Sequence, residues 1–461
     1  MTTVDVAGRG VGPTTPPGSA HVVADVLVIG AGPAGIAAAA RAAEAGKRVR
    51  LLDASPNAGG QIWRHRTRTT LGPEPRRWLD RLSRSRAEVH HGVAVVDVVA
   101  PASGDAPFVV VAEGHRGGPA IVAHAGAVVL ATGARERFLP FPGWTLPGVV
   151  GIGGAQALLK QGADFAGRRV VIAGTGPLML PVAASLSSAG ARVVLVAEQA
   201  PAAAVRDFAL SLIWQPETLA QAALYRLAFL RAPYQLGTWV TEVVGDGRVE
   251  SVTVSRGGRT RRVACDVLCT GYGLVPNVEV ARLLGCTVAD GAVAVTESQA
   301  TTVPRVFAAG EVTGIGGVAL SLVEGEIAGA AASGAVRPDS ALARRRASLQ
   351  GLARSLARTF APRVELRSLA RDETIVCRCE DVARHSVRAL GDARQAKLYT
   401  RAGMGACQGR VCGPALEFLF GWTPGSVRPP AEPARLGTLA VVASSLAPPL
   451  LTPTSNISSG S

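Results

Sequence analysis

The segment ADVLVIGAGPAGIAAAARAAEAGKRVRLLDA, residues 24–54, decides the fold. Its apolar run Val26–Ile29 reads as a strand buried on both faces, as parallel strands are. The run breaks into Gly30-Ala31-Gly32-Pro33-Ala34-Gly35, and an alanine-rich helix follows. Each glycine has its own reason: Gly30 permits the tight turn, Gly32 lets a pyrophosphate approach the backbone, and Gly35 lets helix and strand pack closely. The helix start offers free N–H groups and a positive dipole end to phosphates. A second strand, VRLLD, ends in Asp53, about 20 residues further on, where a carboxylate can hold ribose hydroxyls. Strand, turn, helix, strand and terminal acid in that order predict a dinucleotide-binding unit. A glycine turn with no ligand would explain less of the pattern.

The chain then repeats the arrangement. RRVVIAGTGPLMLPVAASLSSAGARVVLVAEQA, residues 168–200, is again strand, glycine turn, helix, strand and acid, with Gly174, Gly176, Pro177, Leu178 and Glu198 in the corresponding places. Met179 stands where the third glycine would be. Its bulk should push helix and strand apart, so a dinucleotide fits less well there. No arginine cluster follows Glu198 to receive a 2′-phosphate, which disfavours NADP. NAD, an adenine nucleotide such as ATP, and an empty remnant all stay open.

With 461 residues, 48% of them hydrophobic, the chain can bury more than one core, so two or three domains are expected. No stretch approaches the roughly 20 apolar residues of a membrane span, and the first 20 residues lack the apolar core of a secretory signal. Both observations point to the cytoplasm, where thiols stay reduced and bind metals or react. The net charge of +14 comes from dispersed arginines, since the only lysines are Lys47, Lys160 and Lys397. The compact run Arg344–Arg346 falls in a predicted linker helix and reads as a solvated face. Without aromatics interleaved among basic residues, nucleic-acid binding is not expected. An acidic partner surface, an anionic ligand or peripheral membrane association is compatible with the charge.

Two more motifs place the first unit in a family. GAVVLATGARERFLP carries Ala131-Thr132-Gly133 after an apolar strand, and VPRVFAAGEVTGIGGVALSLVEGEIAGAAA carries Ala309-Gly310-Glu311 before a glycine-rich helix start. Over residues 22–335 this order resembles the two-dinucleotide-binding-domain flavoproteins, the group of glutathione and thioredoxin reductases. The resemblance implies an α/β fold with two Rossmann-like domains and a return segment that completes the FAD domain. It implies FAD held by Gly30, Gly32, Pro33, Ala34, Gly35, Asp53, Val93, Thr132, Gly133, Gly310 and Glu311, with glutamate at 311 where the family usually has aspartate. Gly60 and Gln61, from NAGGQIW, would lie along the flavin ring. Disulfide reduction does not carry over, because the chain has no CxxC pair. Cys265, Cys269 and Cys286 read as core packing. His90 and His91, expected before a strand with no acidic partner, receive no role.

The other cysteines, Cys377, Cys379, Cys407 and Cys412, follow a C-x-C then C-x4-C pattern. Four thiolates suit either a tetrahedral zinc or a [2Fe–2S] cluster. Zinc knuckles more often use C-x2-C pairs, so the spacing leans to the cluster. ETIVCRCEDV and KLYTRAGMGACQGRVCGP look like the bacterioferritin-associated-ferredoxin type of [2Fe–2S] domain, a small helical fold. That resemblance implies the four cysteines as ligands. Gly403, Gly405, Gly409 and Gly413 would free N–H groups for sulfur, and Arg378, Arg401 and Arg410 would favour an anionic cluster. His385 reads as a surface helix residue.

A helical linker ending at Pro362 should join the two regions, and a proline-rich extended tail, able to lie along a partner, should close the chain. The expected divisions are a disordered leader 1–21, the FAD domain 22–146 and 279–336, a second nucleotide domain 147–278, a linker 337–371, a cluster domain 372–420 and a tail 421–461. The combination resembles the larger flavoprotein subunit of heteromeric amine and imino-acid dehydrogenases, the group of opine oxidases, proline and hydroxyproline dehydrogenases and hydrogen cyanide synthase. The resemblance implies a partner of D-amino-acid-oxidase type that carries its own FAD, an FMN between subunits, an electron acceptor, and an electron-transfer role with no general acid or base in this chain. Two rivals stand beside it: a self-contained NADH-dependent flavin and iron–sulfur reductase, and a scaffold subunit with a four-cysteine zinc module.

Overall fold

The computed structural model describes residues 19–67, 70–101, 104–212, 216–423 and 427–446. In the first domain β1 (Ser19–Ile29) is followed by α1 (Pro33–Glu44), β2 (Val49–Asp53), α2 (Pro73–Arg84), β3 (Glu88–His91), β4 (Val93–Val99), β5 (Phe108–Gly114) and β6 (Ala120–Leu130). The sheet order is β3-β2-β1-β6-β5-β4. Val26, Leu27 and Val28 of β1 are fully buried, as a central parallel strand requires. Ser19–His21 pair with Ala120–Val122, so this strand begins inside the expected leader. Residues 1–18 lie outside the described residues. His90 and His91 close β3 just ahead of β4, and His91 stands in register with Asp53. Burial and the neighbouring Arg50 hold the His90 imidazole below its usual value.

β7 (Ala134–Glu136) leads to the second domain. Here β8 (Val149–Gly151), α3 (Ile152–Lys160), β9 (Arg169–Gly174), α4 (Met179–Ser188), β10 (Arg192–Glu198), α5 (Ala202–Ser211), α6 (Pro216–Ala228) and β11 (Tyr234–Leu236) precede the antiparallel ribbon β12 (Thr238–Val244), β13 (Ser251–Arg256) and β14 (Arg259–Ala264). With β15 (Val267–Gly271) they form a second sheet of order β11-β10-β9-β15-β8. β16 (Leu274–Pro276) returns beside β7, so two antiparallel strands bridge the domains. α7 (Glu279–Leu283), the hairpin β17 (Val288–Ala289) and β18 (Ala292–Val293), and β19 (Val306–Ala308) bring the chain back to β6. α8 (Gly317–Ala332) then packs on α1. A Cβ at Gly325 or Gly329 would overlap the carbonyl oxygen of Ala34 or Ala38, so the two helices approach through stripes of small residues.

α9 (Ser340–Thr359) starts at Asp339, whose carboxylate accepts the N–H groups of Ala341 and Leu342, and ends ahead of Pro362. The run Arg344–Arg346 is not wholly a solvated face: Arg346 lies against the buried Glu324 of α8, 3.4 Å away. The cysteine region holds a ribbon of β20 (Ile375–Cys377) and β21 (Val382–Ala383), then α10 (Arg384–Val387), α11 (Ala393–Thr400) and α12 (Cys412–Phe420). It has its own small core of Val376, Val387, Ala396 and Leu416. His385 is exposed and meets the Asp372 carbonyl at 3.0 Å. The tail is not extended throughout. LGTLAVVASSL contains no proline and folds as α13 (Leu436–Leu446), which buries Val441 against Val96, Val111 and Val122 of its own first sheet. Residues 447–461 lie outside the described residues. Among the described residues no helix is long and apolar enough to cross a membrane.

Candidate cofactor cradle and cysteine centre

The first glycine turn is built as its sequence requires. Gly30 takes φ +104°, and Gly32 caps α1 ahead of Pro33 at the first helical position. Asp53 accepts from the N–H of Ala31 at 2.5 Å and of Ser55 at 2.7 Å, which fixes the end of β2 against the turn. Nothing stands within 4 Å of where a Cβ on Gly32 would project. That open approach above a helix N-terminus fits a pyrophosphate. Gly60 stacks over the turn, since its Cβ would lie 2.9 Å from the Gly32 Cα. Gln61 is exposed and accepts from Arg64 Nη2 at 2.7 Å. The Val93 side chain is buried in the core, leaving its backbone for any ligand.

Two residues that the motifs did not reveal hold the other walls. Thr132 Oγ1 donates to the Asn277 carbonyl at 2.6 Å, Asn277 Nδ2 donates to the Thr132 carbonyl at 2.9 Å, and the Asn277 N–H donates to Gly133. Glu324 accepts from the Gly310 N–H at 3.0 Å and from Thr313 Oγ1 at 3.1 Å. A glutamate inside the small, apolar run of α8 was the available signal for the second of these. Burial raises the Glu311 carboxyl above its ordinary value, opposed by the Gly317 N–H.

The second glycine turn is built differently and carries contacts from the linker. α4 begins at Met179, whereas α1 begins two residues before its corresponding Gly35. The methionine side chain is fully buried, and short turn bonds from Met179 to Gly176 and from Leu180 to Pro177 replace the first helical turn. The linker beyond α9 crosses this turn. Thr175 Oγ1 donates to the Phe360 carbonyl and Gln199 Nε2 to the Ala361 carbonyl, both at 3.0 Å, while the Arg363 N–H donates to Gln199 Oε1 at 3.1 Å. The Phe360 Cβ lies 4.0 Å from where a Cβ on Gly176 would be. Pro177 is exposed and Leu178 half-buried beside it. Glu198 is fully buried and accepts from the N–H groups of Gly176 and Ala200, both at 2.8 Å.

Burial pushes the Glu198 carboxyl from 4.5 up to about 7, outweighing those two donors. A raised native value means that the folded chain binds this proton more tightly than the unfolded chain. The contribution of Glu198 to stability is therefore fully present below 4.5 and is lost as pH rises through about 7. The loss is on the order of 3 kcal/mol. Urea midpoints at pH 5 and pH 8 should differ less in Glu198→Ala than in wild type. Equal differences in the two proteins would contradict this assignment.

The four late cysteines converge. Cys377 and Cys412 are buried, Cys407 is half-buried and Cys379 is exposed, and all four line one cavity of about 130 Å³ with Phe138, Trp144, Arg378 and Val411. Cys377 lies beside Cys412 and Cys379 beside Cys407. The neighbouring Cys412 and the backbone N–H groups of Gly403, Glu380 and Cys379 hold the Cys377 thiol down as the charged member of its pair. Cys412 is correspondingly pushed up by Cys377 and by burial. Among the described residues no three His, Cys, Asp or Glu donors are gathered closely enough to hold one ion. Four thiols around one cavity are the donor set that either a [2Fe–2S] cluster or a tetrahedral zinc requires.

The expected electrostatic support is narrower than the sequence suggested. Arg378 lines the cavity, but Arg401 pairs with Glu380 at 2.8 Å, and Arg410 turns away to the Ala431 carbonyl at 2.7 Å. The Gly413 N–H goes to the Gly409 carbonyl, not to sulfur. Cys265 and Cys269 are fully buried in the second domain and Cys286 is buried in the first. A larger groove of about 560 Å³ adjoins the cysteine cavity, sharing Phe138 and Arg378 with it and adding Arg64, Gly151, Gly154 and Gln161. Glu136 caps the nearby start of α3, accepting from Gly153 at 2.7 Å and Gly154 at 3.0 Å.

Residues 24–335, more than half of the chain, match the pyridine nucleotide-disulphide oxidoreductase family. The chain is 33% identical to the opine oxidase A polypeptide of Agrobacterium tumefaciens over 467 aligned positions, covering 90% of this chain and 91% of that one. It is also 33% identical to the HcnB polypeptide of hydrogen cyanide synthase from Pseudomonas aeruginosa, covering 84% and 90% of the two chains. Among solved structures, the L-proline dehydrogenase from P. horikoshii shares the fold, with a TM-score of 0.66 at 20% identity over 91% of this chain and 80% of that one.

Proposed function

Because the chain belongs to the pyridine nucleotide-disulphide oxidoreductase family, we propose that it is the electron-transfer subunit of a heteromeric, FAD-dependent dehydrogenase acting on an amino acid, imino acid or opine-type amine. The observation that carries this reading is the pairing of four thiols around one cavity, in a chain whose family fold lacks the usual cysteine pair. FAD accepts electrons two at a time and a [2Fe–2S] centre passes them singly, so the two together connect a two-electron donor to a one-electron acceptor.

The chain's own residues supply binding and orientation. The Gly30–Gly35 turn and α1 would receive the FAD pyrophosphate, Asp53 the ribose, and Glu311 the ribityl chain. Cys377, Cys379, Cys407 and Cys412 would hold the cluster. An FMN shared with the partner is expected at the groove beside it, where Arg64 and Arg378 can meet a phosphate. The partner is expected to be a D-amino-acid-oxidase-like FAD subunit that carries the substrate pocket.

The linker across Gly176 favours this reading over a self-contained NADH-dependent reductase. Anaerobic purification with cofactor extraction, followed by titration with NADH and with candidate amines, tests it. Bound FAD, about two irons per chain, no bleaching by NADH and bleaching by an amine only with the co-produced partner are the expected results. Flavin bleaching by NADH in the isolated chain would establish the reductase instead. Zinc in place of iron, with no visible absorbance from the cysteine domain, would establish the scaffold.

A further inference from the structure

Arg135 ties three parts of the molecule together. Its Nη1 donates to Asn277 Oδ1 at 2.7 Å and lies 2.9 Å from Glu279, while its Nε donates to the main-chain carbonyl of Arg410 at 3.1 Å. Asn277 is the residue braided into the Thr132–Gly133 turn of the cradle. Arg410 lies in the loop between Cys407 and Cys412. Its guanidinium points the other way, to the Ala431 carbonyl at 2.7 Å and to Glu432 at 3.4 Å. The Ala431 N–H in turn donates to Val96 of β4 at 2.7 Å. The cysteine loop is thus gripped by its backbone from the cradle side and by its side chain from the tail, and both grips end in the first domain.

We propose that Arg135 and Arg410 form a clamp that holds the Cys407–Cys412 loop at a fixed separation from the Thr132 turn, and that both are positioning residues for electron passage between flavin and thiolates. This rests on the flavin and iron–sulfur reading above. Taking a guanidinium out of water is costly unless its donors are satisfied, and Arg135 spends its donors on Asn277, Glu279 and the Arg410 carbonyl. A cation beside this loop also favours the more negative, reduced state of any centre held by thiolates. Arg371, just ahead of the cysteine region, pairs with Glu242 of the second domain at 3.1 Å, but that pair is more exposed and contributes little.

The test uses the full chain co-produced with its partner, in wild type, Arg135→Met, Arg135→Lys, Arg410→Ala and the control Arg371→Ala. Arg135→Met should raise the rate of deuterium uptake at residues 403–412 by about tenfold. It should also lower the midpoint potential of the reduced centre, followed by electron paramagnetic resonance, by about tenfold in the one-electron equilibrium, or about 59 mV. Lysine keeps the charge but not the fork, so Arg135→Lys should restore the potential and leave uptake high. Arg410→Ala, which opens only the outer grip, should raise uptake with a smaller change in potential, and it serves as the second variant if Arg135→Met misfolds. Arg371→Ala should match wild type. Raised uptake with an unmoved potential would make the arginines structural only and overturn the positioning role. Wild-type uptake in both Arg135→Met and Arg410→Ala would overturn the clamp. Wild-type protein without iron would overturn the iron–sulfur reading, and uptake would then judge the clamp by itself.

Discussion

Cys412→Ser is expected to remove the visible absorbance of the cysteine domain and to slow acceptor reduction by the assembled complex by about a hundredfold or more, while FAD content stays at the wild-type level. Cys412 opens α12 in a buried position beside Cys377. Serine is nearly isosteric, so the helix start and the small core around Leu416 should survive. What goes is one thiolate of the Cys377–Cys412 pair. The comparison variant is Cys265→Ser. That thiol is equally buried, but in the core of the second domain, and burial pushes it up to about 12, well away from the thiolate form. It should leave absorbance and electron transfer intact and cost about 1–3 kcal/mol for a buried hydroxyl. Unchanged absorbance and turnover in Cys412→Ser would refute the four-thiolate site.

How much of this was legible from the sequence depended on distance along the chain. The first Rossmann unit could be read because its determinants lie within 31 consecutive residues and each has a single physical reason, from the turn at Gly30 to the acid at Asp53. At Met179 the sequence predicts helix and strand pushed apart, and the structure shows a helix α4 that starts only at Met179. The cysteines could be grouped by clustering, but their pairing could not. The contacts that close the second turn join Thr175 to Phe360, 185 positions apart, and those that clamp the cysteine loop join Arg135 to Arg410, 275 positions apart. Such side-chain to backbone bonds leave no periodicity. The tail departs from its expected extended form for a different reason: the prolines near residue 430 predict extended chain, while the proline-free LGTLAVVASSL behind them folds as a helix by burying Val441 on the first sheet.

Gly35→Val is expected to yield insoluble or flavin-free protein, with a loss of about 4 kcal/mol or more, which is exceptional for one substitution. Any Cβ at Gly35 would overlap the carbonyl oxygen of Gly30 and approach the Ala131 Cβ at 3.3 Å. Both neighbours belong to the floor of the cradle, and one is main chain, so neither can yield without moving β1 from α1. The loss by itself would show only that the domain is tightly packed. Gly32→Ala separates packing from binding. Gly32 sits at φ −75° and ψ −177°, an extended conformation that alanine adopts without strain, and nothing lies within 4 Å of the new methyl group. That variant should fold with wild-type stability and yet purify largely without FAD, because the methyl group projects into the space that the pyrophosphate needs. Gly176→Ala, at a position with φ +97°, should strain the second turn and lower stability, yet leave the flavin content of the folded protein untouched. If Gly32→Ala retained FAD while Gly176→Ala lost it, the assignments of the two turns would have to be exchanged.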